Sequence, residues 1–324
     1  MDRVAPLEFD PSAPTDRLLA DVERWIRSEP VSVLVSMFDG PDVLAATPLG
    51  ELLDELADFS VQWDFRRGEE RNLAQTAEFA DEHAAQIVEA ADALGLVHTT
   101  RPRHESYDHL VVLGGLIRAC ILRPRFAAEL VAEGLNVGTV TGIGAFRPLK
   151  GDEPDLAVAA GLPEVDTEFA AMVAGMSDAF GVGAPDETAG ETVEDNPNLS
   201  WEVAVHHVVG GPTIRVVAAP TTDPTRRANT PDSYQYLADE LVHIKPGDRV
   251  LAVTSAIYVP FQGADAIRML GLPYRAVVDC VGLDVSVARE PELVQLFTPA
   301  NYLQEVRSAF LALRNLFTAI NDRT

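Results

Sequence analysis

The chain has 324 residues, 50 of them acidic and 25 Lys or Arg, for a formal net charge of −25. That surplus argues against a broad nucleic-acid-binding surface, because a phosphate backbone would be repelled, and any anionic ligand must find a local positive pocket. An apolar fraction of 47% supports a buried core, and the length suits two domains or one large α/β domain with an extension.

Residues 1–14 carry three prolines and read as an arm. Nothing in them resembles a signal peptide, and no stretch of the chain approaches the ~18 apolar residues of a membrane span, so a cytoplasmic protein without a membrane partner is expected. From Thr15 to Ser28, Leu18, Leu19, Val22, Trp25 and Ile26 recur at helical spacing, with Thr15 or Asp16 as cap. "VSVLVSMF" (31–38) reads as a short strand or a buried helical turn. "TPLGELLDELADF" starts a helix with Thr47 as cap and Pro48 at its first position, and a long helix is predicted from Arg71 to Leu94, ending at Gly95. The first 105 residues are therefore a mainly helical region.

The texture then changes to strands alternating with helices, the pattern of a doubly wound, mostly parallel, Rossmann-like α/β sheet over 106–324. Five parallel strands are predicted, at 109–113, 135–141, 214–219, 249–254 and 275–282. "WEVAVHHVV" (201–209) adds an antiparallel strand joined by "GGP" to the next. Pro124 is expected to kink or split the helix after the first strand. Segments 150–165 and 182–200 read as loops, 166–181 as an amphipathic helix ended by glycine, and the final helix starts at Thr298 with Pro299 behind it. Cys120 and Cys280 lack a CxxC partner and read as reduced core thiols.

In such a sheet, ligands bind beyond the carboxyl ends of the strands. The strand exits carry Gly114, Gly115 and Arg118; Thr141, Gly142, Gly144 and Arg147; Asp223, Arg226, Arg227, Asn229 and Thr230; and Thr254, Ser255 and Tyr258. Glycines let backbone N–H groups approach an oxyanion, and arginine presents a fork matched to phosphate or carboxylate. "NTPDS" makes a helix start by itself, with Thr230 capping and Pro231 at the first helical position. That leaves Arg226, Arg227 and Asn229 without a structural reason, and cations ahead of a helix oppose its dipole, so an anion clamped between them is expected. "LGG" lacks the third glycine of GxGxxG, and no GxSxG, Walker or HExxH motif occurs. His206 and His207 are strand neighbours on opposite faces, so they do not share a metal easily. "GDEPD" (151–155) reads as a solvated loop, with metal binding through Asp152 or Glu153 as a minor alternative.

Together these segments resemble the SanA/ElyC/YdcF-like family of Rossmann-like domains, over about residues 108–320. "VVLGGLIRA" matches its opening strand and turn, "TEFAAM" its acidic helix with Glu168, "RRANTPDS" its Asn-Thr segment, and "LAVTSAIYVPFQGA" its "VTS" segment. Tyr258 stands where the family has histidine and Phe261 where it has arginine, while Asp232 and Ser233 replace a Glu-Asn pair. The resemblance implies a phosphorylated or nucleoside-type small-molecule ligand, with hydrolysis or transfer at a phosphate or glycosidic bond. Gly114, Gly115, Arg118 and Arg147 would cradle an anion, Arg226, Arg227 and Asn229 would clamp it, and Thr230, Thr254, Ser255, Tyr258 and Gln262 would line the pocket. Glu168 would serve as acid or base, with Tyr258 as hydrogen-bond donor. The alternatives are a non-catalytic binder of S-adenosylmethionine or a nucleotide, and an interaction module with a vestigial pocket. Region 1–105 is left to cover the rim or to form a contact between copies of the chain.

Overall fold

The computed structural model describes residues 1–46, 48–65 and 79–323. Among the described residues four α-helices open the chain: α1 (Thr15–Ile26), α2 (Glu29–Met37), α3 (Leu49–Phe59) and α4 (Asp81–Ala93). Segment 31–38, ambiguous from its sequence, is helical. Pro14 takes the cap position of α1 with no side-chain cap, so neither Thr15 nor Asp16 serves there. Pro48 precedes α3 as its cap instead of opening it, and Thr47 lies outside the described residues. Of the helix predicted from Arg71, residues 71–78 also lie outside them, and the described helix starts at Asp81.

The rest alternates as expected: β1 (Ser106–Val112), α5 (Ile117–Ala132), β2 (Asn136–Gly144), α6 (Glu153–Ala159), α7 (Glu168–Phe180) and β3 (Glu187–Glu191). Then come β4 (Trp201–His207), β5 (Thr213–Ala218), α8 (Thr230–Tyr236), β6 (Arg249–Ser255), α9 (Val259–Ala266), the single turn α10 (Leu272–Tyr274), β7 (Val277–Leu283) and α11 (Pro299–Asn321). The described strands form one seven-stranded sheet in the order β3-β4-β5-β2-β1-β6-β7. β5, β2, β1, β6 and β7 run parallel, and β3 and β4 form an antiparallel edge.

Two predicted loops hold structure. Segment 182–200 contains β3, whose five residues are all exposed and whose place is set by pairing with β4. Segment 150–165 contains α6, which opens with an acid and a proline in its first turn. Helix α5 runs through Pro124 unbroken. Proline removes the N–H that would pair with the Cys120 carbonyl, and Gly175 of α7 packs directly against that carbonyl oxygen.

Parallel strands buried on both faces read as continuous apolar runs. Leu110 and Val112 of β1 and Leu251 and Val253 of β6 face a core shared with α5 and α7. Val111, Val250 and Ala252 face the other core, shared with α9 and α11. The N-terminal helices join this second core from its outer side, where Trp25 and Trp63 meet Phe310 of α11 at 6.1 and 6.0 Å between ring centroids. Arg307 of α11 donates to the Ala57 carbonyl at the end of α3, at 3.2 Å. The arm reaches the far edge, where Phe9 bridges Val278 of β7. No described helix is long and apolar enough to cross a membrane.

An arginine-lined cleft at the carboxyl ends of the strands

Val112 pairs with Gly142 on one side and Val253 on the other, so β1, β2 and β6 end level with one another. From β1 the chain steps outward to β2 and β5, then returns to β6 on the opposite side of β1. Loops leaving β1 and β6 therefore diverge, which opens a crevice at that point. A cleft of about 680 Å³ lies there. It is lined after β1 by Gly114, Gly115 and Arg118, after β2 by Arg147, and by Glu168 at the start of α7. Arg226, Arg227, Asn229 and Thr230 line it ahead of α8, and Ser255, Tyr258 and Gln262 after β6. Thr254 does not reach it: the side chain is fully buried, and its hydroxyl donates to Oε1 of Gln262 beneath the floor.

At the inner end the chain supplies its own anions. Arg147 Nη1 and Nη2 reach the two carboxylate oxygens of Glu153 at 2.7 and 2.9 Å, and Nε reaches Glu168 Oε2 at 3.2 Å. The Ile117 N–H, at the start of α5, donates to Glu153 Oε1 at 2.9 Å, and the Gly115 N–H bonds Glu168. Gly114 admits this arrangement because any Cβ there would collide with the Ile143 carbonyl and Glu168 Oε1. Burial pushes the Glu168 carboxyl above its usual range, and Arg147 and the Gly115 N–H pull against it without prevailing. For Glu153 burial also pushes up, but Arg147 and the Lys150 and Ile117 N–H groups outweigh it and hold the carboxyl low. Glu153 therefore carries the firm charge beside Arg147, and Glu168 is the poised carboxyl. For Glu153 the loop and metal readings give way to this ion pair, whereas Asp152 is exposed in the turn ahead of α6, as the loop reading expects.

Arg123, absent from the sequence-based site, is the hub of the floor. It is 2% exposed. Its Nη1 donates to the carbonyls of Leu113 and Gly114 at 2.8 and 2.5 Å, its Nε to Ser255 Oγ at 3.2 Å, and its guanidinium lies 5.5 Å from the Tyr258 ring centroid. One side chain thus joins the exits of β1 and β6. Its signal was legible as an arginine on the buried helical face of Cys120, Phe126 and Ala127. Asn301, Gln304 and Glu305 of α11 also line the cleft. They form a polar stripe at i, i+3, i+4 inside an otherwise apolar helix, a second signal of the same kind.

The α8 entrance corrects two expectations. Asn229, not Thr230, caps the helix: its side chain accepts from the Asp232 N–H, and Asp232 returns the bond to the Asn229 N–H. Arg226 has an internal partner, since Nη1 and Nη2 contact Asp232 at 2.5 and 3.3 Å. Its place ahead of the helix is thus explained without a ligand. Arg227 is exposed on the cleft wall. Arg118 donates from Nη2 to the Glu292 carbonyl at 3.1 Å, and its buried Nε has no hydrogen-bond partner. Leu296, 77% exposed, and Phe297 give the cleft an apolar margin.

The histidines stand elsewhere. His206 is buried, His207 pairs with Glu187, and His109 contacts Thr139 and Asp248 at the amino ends of the strands. Cys120 and Cys280 are buried thiols whose pKa burial raises. Fold and cleft define an α/β protein with a mostly parallel sheet, a helical N-terminal layer and an arginine-lined crevice.

Residues 9–95, which span that layer, match the family described as the Rv3785 N-terminal domain. Across 344 aligned residues the chain is 31% identical to protein Rv3785 of Mycobacterium tuberculosis (strain H37Rv), covering 98% of this chain and 94% of the relative. The likeness to protein Mb3814 of Mycobacterium bovis has the same identity and extent. The chain belongs to the Rv3785 family. No solved structure matches it.

Proposed function

We propose that the chain is a Rossmann-like protein that binds a small phosphorylated or nucleoside-type molecule in this cleft. It acts there by hydrolysis or transfer at a phosphate or glycosidic bond. One observation carries the reading, an inversion of charge. The chain holds 50 acids to 25 bases, yet the described residues lining the cleft include five arginines and four carboxylates. Such a site focuses potential on an anion that the rest of the surface repels. In chain order the parallel strands run third, second, first, fourth, fifth across the sheet, an order common to nucleotide-binding sheets. The resemblance to SanA/ElyC/YdcF-like proteins belongs to the same proposal, supported by its "LGG" and "RRANT" segments and Ser255 of "VTS" bordering the crevice.

Arg118, whose buried Nε has no hydrogen-bond partner, and Arg227, which is exposed on the cleft wall, are assigned the direct ligand contacts. Glu168 has the chemistry of a general acid, because a carboxyl raised by burial can hold and deliver a proton nearer neutral pH. A second reading, non-catalytic binding of S-adenosylmethionine or a nucleotide, is favoured by one feature: among the described residues no histidine lines the cleft.

Thermal stabilisation by a panel of nucleotides, sugar phosphates and S-adenosylmethionine tests the binding. A concentration-dependent rise that shrinks in Arg118→Ala and Arg227→Ala is expected. A flat panel would remove the proposal. Chromatography of the stabilising compound after incubation separates an enzyme, which converts it, from a binder, which returns it unchanged.

A further inference from the structure

Four donors converge on the carboxylate of Glu153: Nη1 and Nη2 of Arg147, the Ile117 N–H at 2.9 Å and the Lys150 N–H at 3.0 Å. A forked guanidinium joined to main-chain N–H groups just beyond a strand is the donor set that recognises a phosphate-type oxyanion. Here it is satisfied by a side chain of the protein itself. Arg147 is 6% exposed and Glu153 5%, and both border the cleft.

The element carrying Glu153 is lightly held. Helix α6 is seven residues long, and within it only Glu153 and Ala157 are buried. Val158 is 60% exposed. Glycines with positive φ flank it, Gly151 at 60° and Gly161 at 83°, and neither has an atom within 4 Å of where a Cβ would stand. Such positions turn with little steric resistance. The strongest tie of α6 to the body is thus the Glu153 carboxylate in the oxyanion position.

We propose that Glu153 is an internal stand-in for a ligand oxyanion, and that α6 is a gate displaced when a phosphate-type group takes Arg147 and the Ile117 and Lys150 N–H groups. The inference rests on the reading of the cleft as an anion site, and it adds a second, normally occupied anion position. The exchange conserves charge at Arg147, since one anion replaces another. Binding at this position therefore pays the cost of releasing Glu153, which keeps weak anions out.

Inorganic phosphate is the probe, and thermal midpoint the readout, for the wild type, Glu153→Ala and Glu153→Ala/Arg147→Met. With Glu153 gone the donors are vacant, so phosphate is expected to raise the midpoint of Glu153→Ala by several degrees more than that of the wild type. The double variant should lose the gain. An equal phosphate response in Glu153→Ala and the wild type would overturn the proposal. If Glu153→Ala folds only when phosphate is present, the proposal stands. If it fails to fold with or without phosphate, Glu153→Gln decides: a larger phosphate response than the wild type supports the gate, and an unchanged response overturns it. These outcomes do not depend on Arg118 or Arg227, so the gate can fail while the cleft still binds a ligand, and the reverse.

Discussion

Asp232 shows how one carboxylate can account for a group of residues that look like a binding motif. It is 3% exposed and accepts from the Thr222 N–H and hydroxyl, the Asn229 N–H and the Arg226 guanidinium. Burial alone would raise its pKa, but Arg226 and these hydrogen bonds outweigh that and lower it from 3.8 to about 2. A carboxylate lowered in this way contributes stability above its unfolded pKa and loses it as pH falls through the folded value. Asp232→Asn is accordingly expected to cost about 2–3 kcal/mol at neutral pH. In denaturant titrations at several pH values, the gap between wild type and variant should stay constant above about pH 5. It should close as the pH falls toward 2. A gap that persists undiminished there would place the stabilisation elsewhere. The sequence showed the crowding of "RRANTPDS" but not its internal closure. The Arg226–Asp232 distance depends on the turn at 221–229, which the residue order alone does not fix.

Helices α5 and α7 show the same division between what is local and what is tertiary. Proline inside a helix predicts a break, yet α5 runs on through Pro124, and Gly175 of α7 packs closely over the carbonyl that Pro124 leaves without its helical N–H. Alanine is ordinarily the better helix former by about 1 kcal/mol. At this position its methyl would overlap the Cys120 carbonyl oxygen, so Gly175→Ala should lower stability by about 2 kcal/mol. A stabilised variant in chemical denaturation would contradict that account of the contact. The buried strands β1, β2, β5, β6 and β7 were legible because their side chains carry the pattern. β3 was not, since its five residues are all exposed and carry no apolar pattern, and its place is set by pairing with β4. α6 was hidden for a related reason: its acid and proline suit a loop, and the buried partner of that acid, Arg147, lies outside the helix. Eleven of the residues picked from strand exits border the cleft because the rule behind them is topological. Arg123 and the α11 stripe were overlooked because each lies within a helix, away from any strand exit.

At the scale of the whole molecule, the helical layer and the sheet share one core. Leu52, Leu53, Leu56 and Trp63 join Val306, Phe310 and Leu313 of α11 in a single buried cluster. A fragment beginning at residue 106 would expose that face of α11, and a patch of this kind drives aggregation or loss of fixed packing. The fragment is expected to lack a cooperative thermal transition, measured by near-ultraviolet circular dichroism, whereas the full chain should unfold in one step. A fragment with a sharp transition would show that the layer is dispensable for folding. The same arrangement puts Asn301, Gln304 and Glu305 on the cleft from a helix that the N-terminal layer braces. The shape of the site thus depends on residues far from it in the chain.

The central claim is that an acidic protein has built one locally cationic crevice for an anionic small molecule. Calorimetric titration of the most stabilising phosphorylated compound tests it most directly, comparing the wild type with the Arg118→Ala/Arg227→Ala double variant. The account predicts saturable binding to the wild type and affinity at least about tenfold lower in the variant, a difference of about 1.4 kcal/mol, with little change in melting temperature. Equal affinity in the two proteins would contradict it.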